Sequence, residues 1–249
     1  MDLIAVHWLE QTEADVPAKN AWLGAGEVVR LNSMRFAKRR ADWRLGRWTA
    51  KRALAAYLEV PADPQLLATI ELRPAATGAP QVFVAHEPAE VSISLSHREG
   101  RAICAIGPCG TKLGCDLEII EPRGAEFFAD YFVAEEQARI AQAPEIERPR
   151  LVALMWSAKE SALKALHEGL RLDTRSIIVA AAEESFDDND WSSLHVLCPG
   201  EQFFHGWWQH AGVIVRTLVS DPAPAPPIIL KIQAYATGDY DAHRGEVIA

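Results

Sequence analysis

The sequence predicts a mixed fold, α+β or α/β, on two observations. Short runs that alternate apolar and polar residues recur along the chain, as in Val91-Ser92-Ile93-Ser94-Leu95, and a period of two reads as a half-buried strand. Between such runs lie longer segments whose apolar residues recur three and four apart, as in Ala41, Leu45 and Trp48, and these read as helices. With 249 residues, 49% of them hydrophobic, the chain has apolar material for one compact unit or two modest lobes. No internal repeat is visible.

In chain order, residues 1–10 alternate loosely and predict a first strand. A helical pattern runs from about Leu31 to Leu58, with Asn32 or Ser33 placed to cap its start and Pro61 to close it. Its length suits one long helix, or two with a bend near Gly46. Thr69–Arg73 predicts a strand, Gly78-Ala79-Pro80 a turn, and 81–85 and Val91–Leu95 further strands. Two strands, Arg101–Ile106 and Lys112–Ile119, flank the turn Gly107-Pro108-Cys109-Gly110. Helical periodicity returns at about 124–142 and 149–167, with Gly169 placed to end the second helix. Ser176–Ala180, Ser193–Leu197 and Val213–Val219 read as strands. After Asp221, the run Pro222-Ala223-Pro224-Ala225-Pro226-Pro227 reads as an extended linker, followed by a strand at Ile228–Ala234 and a polar end.

Composition narrows the function. The N-terminus has no basic n-region, and no uncharged apolar stretch approaches the roughly 18 residues of a membrane span, so a cytoplasmic protein with no membrane partner is expected. Four cysteines (Cys104, Cys109, Cys115, Cys198) are irregularly spaced, without a disulfide framework or a paired zinc spacing, and read as small buried strand residues. The eight tryptophans read as core rather than as a partner surface. Net charge is −9, which argues against nucleic-acid binding. Yet nine basic residues (Arg30, Arg35, Lys38, Arg39, Arg40, Arg44, Arg47, Lys51, Arg52) share the 30–52 stretch with one acid, Asp42. Such an island can attract a local anion, and it is equally the pattern of a solvated helix face.

Three segments carry candidate chemistry. In Leu113-Gly114-Cys115-Asp116-Leu117-Glu118, Asp116 and Glu118 lie two apart on a strand and therefore share a face, about 7 Å apart. Two carboxylates there can meet one hard cation such as magnesium, which takes oxygen ligands and leaves room for substrate phosphate. An ordinary half-exposed strand carries the same pair. In Trp156-Ser157-Ala158-Lys159-Glu160-Ser161-Ala162-Leu163-Lys164, Glu160 and Lys164 share a helix face, either as a surface ion pair or as a metal ligand beside a phosphate-binding lysine. In Ser94-Leu95-Ser96-His97, neighbouring Ser96 and His97 point to opposite faces of a strand, and no G-x-S-x-G elbow accompanies them, so a structural role or a phosphate contact fits better than nucleophilic catalysis.

Taken in order, S-x-S-H, G-x-D-x-E and W-S-x-K-E-S-x-x-K resemble the 4′-phosphopantetheinyl transferase superfamily, in its monomeric surfactin-synthetase-activating type. The 19 residues from His97 to Asp116 and the 44 from Asp116 to Glu160 match that pattern, and the resemblance covers about residues 30 to 180. It implies magnesium-dependent (manganese is an alternative) transfer of the phosphopantetheine arm of coenzyme A to a serine of an apo carrier protein, releasing adenosine 3′,5′-bisphosphate. Carried over by position, Asp116, Glu118 and Glu160 are the metal ligands, and Lys159 and Lys164 bind the pyrophosphate. Ser96, His97 and Arg44 contact coenzyme A phosphates, and Pro80 lies on the adenine-side loop. Either Glu136 or Glu160 takes the serine proton. The loop reads Gly78-Ala79-Pro80 where the family commonly has Gly-Lys-Pro, which removes a lysine contact. The implied fold is a pseudo-dimer of two α/β lobes with the active site in the cleft between them, here 1–110 and 111–221, with 222–249 as linker and tail. Two other readings use the same acids: a metal-dependent phosphohydrolase or nuclease, and a non-catalytic carrier-binding relative.

Overall fold

A computed structural model describes residues 3–168, 171–182 and 190–235; Gly169 and residues 236–249 lie outside the described residues. The fold is α+β, with two main sheets and a small third one. The first sheet has the order β12-β1-β6-β5, where β1 is His7–Thr12, β5 Val91–Arg98, β6 Arg101–Pro108 and β12 Ile228–Ile229. The second has the order β7-β11-β10-β9-β8, where β7 is Lys112–Ile119, β8 Ile178–Ala182, β9 Ser192–Cys198, β10 Gln202–Ala211 and β11 Ile214–Asp221. The third pairs β2 (Ile70–Pro74) with β3 (Pro80–Val84) and β3 with β4 (Glu87–Pro88), and its hairpin carries the Gly78-Ala79-Pro80 turn. Gly78 has a φ of 90°, a conformation glycine adopts without the Cβ penalty.

Period-two alternation gives the main sheets two apolar faces each. Leu9, Ile93, Cys104 and Ile106 pack under α2 (Ala37–Tyr57) with Trp48, Ala50 and Leu54. Their strand neighbours Trp8, Ile103 and Ala105 face the other way and form one cluster with Leu113, Cys115, Leu117, Ile214 and Leu218 of the second sheet. The opposite side of the second sheet, with Val196, Phe204, Trp208, Val215 and Val219, packs under α6 (Arg148–Ala165). The layers therefore run helix, sheet, sheet, helix. Glu10 crosses between the sheets, accepting from Arg216 of β11 and, at 2.9 Å, from Arg101. Three of the cysteines are buried as expected, while Cys109 is exposed in its turn.

Several elements differ from expectation. The helix does not start near Leu31: α1 (Ala25–Asn32) ends there, because Ser33 donates its backbone N–H to Val29 and its hydroxyl to Arg30 O, closing a helix instead of capping one. From Ala37 on, α2 runs through Gly46 without a break. The 124–142 pattern is two helices, α4 (Ala125–Tyr131) and α5 (Ala134–Gln142), separated by extended Phe132 and Val133. The short α3 (Pro64–Thr69) is capped by Asp63, whose carboxylate accepts from the N–H groups of Gln65 and Leu66. Central strand β10 lacks clean alternation, since Phe203-Phe204 and Trp207-Trp208 place aromatic residues on both faces. The proline-rich stretch is no free linker: Ala225, Ile228 and Leu230 donate to Ile4, Val6 and Trp8, so it runs along the edge of β1, where proline's missing N–H does no harm. Tyr235 then packs edge-on against Trp48 at 4.9 Å.

Two helices carry a fully buried lysine in matching surroundings. Lys51 of α2 binds the carbonyls of Trp22 and Leu67 and the carboxylate of Glu27, and Glu27 also accepts from Gly24 N–H at the start of α1. Lys159 of α6 binds the carbonyls of Thr174 and Ile177 and the carboxylate of Glu136, and Glu136 accepts from Val133 N–H at the start of α5.

Strand β7 and α6 come very close at Gly114, where an added Cβ would lie 1.8 Å from Ser161 O and 3.0 Å from Ala165 N, both backbone atoms of α6. Gly114→Ala is therefore expected to lower unfolding free energy by about 3 kcal/mol or more, as overpacking against a backbone that cannot give way. Urea denaturation checks this, and a wild-type midpoint would show that the two elements can separate freely.

Candidate active site

Because β7 lies directly on α6, Asp116 and Glu118 face Glu160 and Lys164. Asp116 is buried; its Oδ1 accepts from Lys164 Nζ and from Ser96 Oγ, each at 2.7 Å. Its Oδ2 is buried with no hydrogen-bond partner. Glu118 Oε1 accepts from the Trp156 indole N–H at 3.2 Å, and its Oε2 lies 3.6 Å from both Arg98 and Arg123. On the opposite strand, the Thr217 hydroxyl meets Ser157 at 2.9 Å and Ser161 at 2.7 Å, a buried hydroxyl cluster that holds α6 against β11.

Electrostatics mark the cluster as strained in charge. Burial pushes the Glu118 carboxyl up, and neighbouring Asp116 adds to this against the pull of Arg98 and Arg123. The Glu160 carboxyl rises through burial and Asp116, with Glu118 adding to it and Lys164 opposing. Burial works most strongly against the charge on Lys164, but Asp116, Cys115 and Glu160 together outweigh it and the ammonium is held more firmly than usual. Carboxylates crowded against one another in a partly dry recess are what a bound cation relieves.

Two adjoining cavities meet at this cluster. The smaller, about 370 Å³, contains Ser96, Arg98, Asp116, Glu118, Arg123, Trp156 and Glu160. The larger, about 870 Å³, is lined from the first sheet's side by Arg30, Trp43, Arg47, Arg73, Gly78, Ala79 and Pro80, and from α6 by Leu163 and Lys164, with His167 just past its end. His97 and Lys164 line both. That volume suits an extended small-molecule substrate.

Of the residues singled out in the sequence, Asp116, Glu118, Glu160, Lys164, Ser96, His97 and Pro80 come together around these cavities. Three do not. Lys159 and Glu136 are bound to each other at 2.7 Å in the interior, and all three ammonium donors of Lys159 are taken up by Glu136, Thr174 O and Ile177 O. The reason is helical geometry, since adjacent residues 159 and 160 leave α6 on faces about 100° apart. Arg44 turns to the 17–20 segment, donating to Asn20 Oδ1 and to the carbonyls of Pro17 and Ala18. One turn on, Arg47 lines the larger cavity in its place. The sequence reading missed Arg98, Arg123, Arg73 and His167. Arg98 directly follows the S-x-S-H motif, but Arg123 and His167 lie in connecting segments where no periodicity points to a site.

Residues 112–212, which contain the acids, Trp156 and Lys164, match the family model of the 4′-phosphopantetheinyl transferase superfamily. The chain is 27% identical over 164 residues, 65% of this chain and 67% of the relative, to the 4′-phosphopantetheinyl transferase HetI of Nostoc sp. (strain PCC 7120 / SAG 25.82 / UTEX 2576). A crystal structure of a holo-(acyl-carrier-protein) synthase from Bacillus anthracis str. Ames, in complex with CoA (3′,5′-ADP), aligns with 17% identity and a TM-score of 0.35, covering 43% of this chain and 97% of that one. In this chain the motif lysine Lys159 is part of the core, and Lys164 is the one that reaches the acids.

Breaking the buried pair with Lys159→Met alone is expected to cost roughly 3 kcal/mol or more, because it strands a carboxylate in the interior. Glu136→Leu combined with Lys159→Met should recover most of that loss. Equal destabilisation of the single and double variants in urea titrations would refute the pairing.

Proposed function

We propose that this chain transfers 4′-phosphopantetheine from coenzyme A to a serine of an apo carrier protein, releasing adenosine 3′,5′-bisphosphate. The observation that carries the reading is the meeting of Asp116, Glu118, Glu160 and Lys164 around the smaller cavity, which adjoins at Lys164 and His97 the larger one that presents Arg30, Arg47 and Arg73. The relative HetI, named a 4′-phosphopantetheinyl transferase, supports it.

Asp116, Glu118 and Glu160 would hold a magnesium ion. Among the described residues no group of three His, Cys, Asp or Glu side chains is arranged to hold a metal as it stands. The donor chemistry nevertheless fits: all three are hard oxygen ligands, and Asp116 Oδ2 is buried without a partner. When bound, the ion would neutralise charge on the pyrophosphate.

The chain's own residues account for the rest. Arg30, Arg47 and Arg73 offer cationic groups to the phosphates of the adenosine end, in place of the lysine that Ala79 lacks. Lys164, held by Asp116 and by Cys115 O at 3.0 Å, keeps its proton and presents a fixed positive charge to the pyrophosphate. Ser96 orients Asp116 from the neighbouring strand. Glu160 takes the serine proton, as the candidate base that lines the cavity, while Glu136 is committed to Lys159 in the interior. The matching Lys51–Glu27 and Lys159–Glu136 arrangements support two related lobes, 1–110 and 111–221, with the larger cavity drawing on both. One chain supplies every residue named, which suits a monomer, and a cytoplasmic location suits a coenzyme A-dependent reaction; no helix among the described residues is long and apolar enough to cross a membrane.

Incubation with coenzyme A, magnesium and an apo carrier protein should add one phosphopantetheine to the carrier, read by intact mass. Absence of modification across several diverse carriers, with an active control enzyme alongside, would sink the reading. Asp116→Ala and Glu160→Ala are each expected to slow transfer by about 100-fold or more; near-normal rates in magnesium would exclude the metal assignment. Arg47→Ala should raise the KM for coenzyme A about tenfold and Arg44→Ala should leave it near wild type. Steady-state kinetics separate the two, and the reverse order would return the phosphate contact to Arg44.

A further inference from the structure

We propose that Arg98 and Arg123 form a clamp for phosphate oxygens at the reacting end of the site, one that becomes available when a divalent cation engages Glu118; this rests on the transfer reading above. Arg98 is the last residue of β5, immediately before a turn in which Glu99 and Gly100 have φ of 44° and 72°, so its backbone is held at the strand end. Arg123 lies in the connection from β7 to α4, with its guanidinium 5.0 Å from the Phe127 ring centre. Both side chains line the smaller cavity together with the three acids and Lys164.

The two guanidiniums are charge-paired there but not fully used as donors. Each stands 3.6 Å from Glu118 Oε2, beyond normal hydrogen-bond length, and Arg98 Nε is buried with no hydrogen-bond partner. Their shorter contacts, 3.2 and 2.9 Å, go to Glu121, whose side chain is 42% exposed, and ion pairs of that kind are weak and easily exchanged. An arginine carries five N–H donors in a rigid fork that matches phosphate geometry, and it does not lose its proton. Two such forks with spare donors face the acids whose proposed role is to bring a cation against phosphate.

The charge count gives the order of events. Asp116, Glu118 and Glu160 balance Arg98, Arg123 and Lys164, so the recess by itself has no pull on an anion. A divalent cation bound by the acids makes the recess net positive and removes Glu118 as the partner of the guanidiniums. A phosphate group then finds two forks turned toward the cation's ligands. Cation first and phosphate second follows from these charges.

The test is isothermal titration of the full chain with inorganic pyrophosphate in saturating magnesium, and separately with magnesium alone. Arg98→Gln and Arg123→Gln should each weaken pyrophosphate binding about tenfold, and the double variant about 100-fold. Magnesium affinity in the absence of pyrophosphate should stay level or tighten, because a positive charge competing for Glu118 has gone. Arg98→Lys combined with Arg123→Lys, which keeps the charge and loses the fork, should weaken pyrophosphate about tenfold and serves where the glutamine variants do not fold. Unchanged pyrophosphate affinity in the double variants overturns the proposal. So does a parallel fall in magnesium affinity, which would mean that the arginines only orient Glu118. The titrations use neither coenzyme A nor a carrier, so failure of the clamp and failure of the transfer reading give separate results.

Discussion

A side chain at residue 114 would place its first carbon 1.8 Å from the Ser161 carbonyl oxygen, so β7 and α6 meet backbone against backbone. That approach is what brings Asp116 within 2.7 Å of Lys164, a residue 48 positions later. The hydroxyls of Ser157, Ser161 and Thr217 secure the same contact from the neighbouring strand β11. Small residues on the facing side of α6 are therefore part of the site although they touch no substrate: a bulkier contact would move the acids of the strand away from those of the helix.

Two lysines on α6 show how one helix serves core and chemistry at once. Lys159 is wholly buried, and burial lowers its pKa against the opposing influence of Glu136. It spends its donors tying α6 to Thr174, Ile177 and α5. Lys164 has a side chain 27% exposed at the junction of the two cavities, and Asp116 keeps it charged. A buried ion pair of the first kind specifies arrangement more than it adds stability. The second kind holds a charge ready for an anion.

The two main sheets join through an apolar layer from Val6, Trp8 and Ile103 to Leu113, Leu117 and Leu218, pinned by Glu10 with Arg101 and Arg216. This places the turn Gly78-Ala79-Pro80 and Arg47 of α2 opposite the end of α6, so the larger cavity has walls from both halves. The stretch after Asp221 returns to the edge of β1 and covers backbone groups that an exposed edge strand would leave open.

By its residues alone the chain determined most of the strands and the long helices α2 and α6, and motif spacing singled out Asp116, Glu118 and Glu160 as candidates, because period two, period 3.6 and motif spacing are local properties of sequence. Which residues of the basic island meet the cavity was beyond it: Arg44 and Arg47 read alike, and only the docking of the 17–20 segment on α2 separates them. Lys159 looked as suited to phosphate as Lys164 until packing put it inside. Strand β10 was hidden by aromatic residues on both faces, Arg98 by its place at the very end of β5, and Arg123 by its place in a connection. Tertiary structure decided these points because burial, charge pairing and cavity walls arise between elements far apart in the chain, where no sequence period reaches.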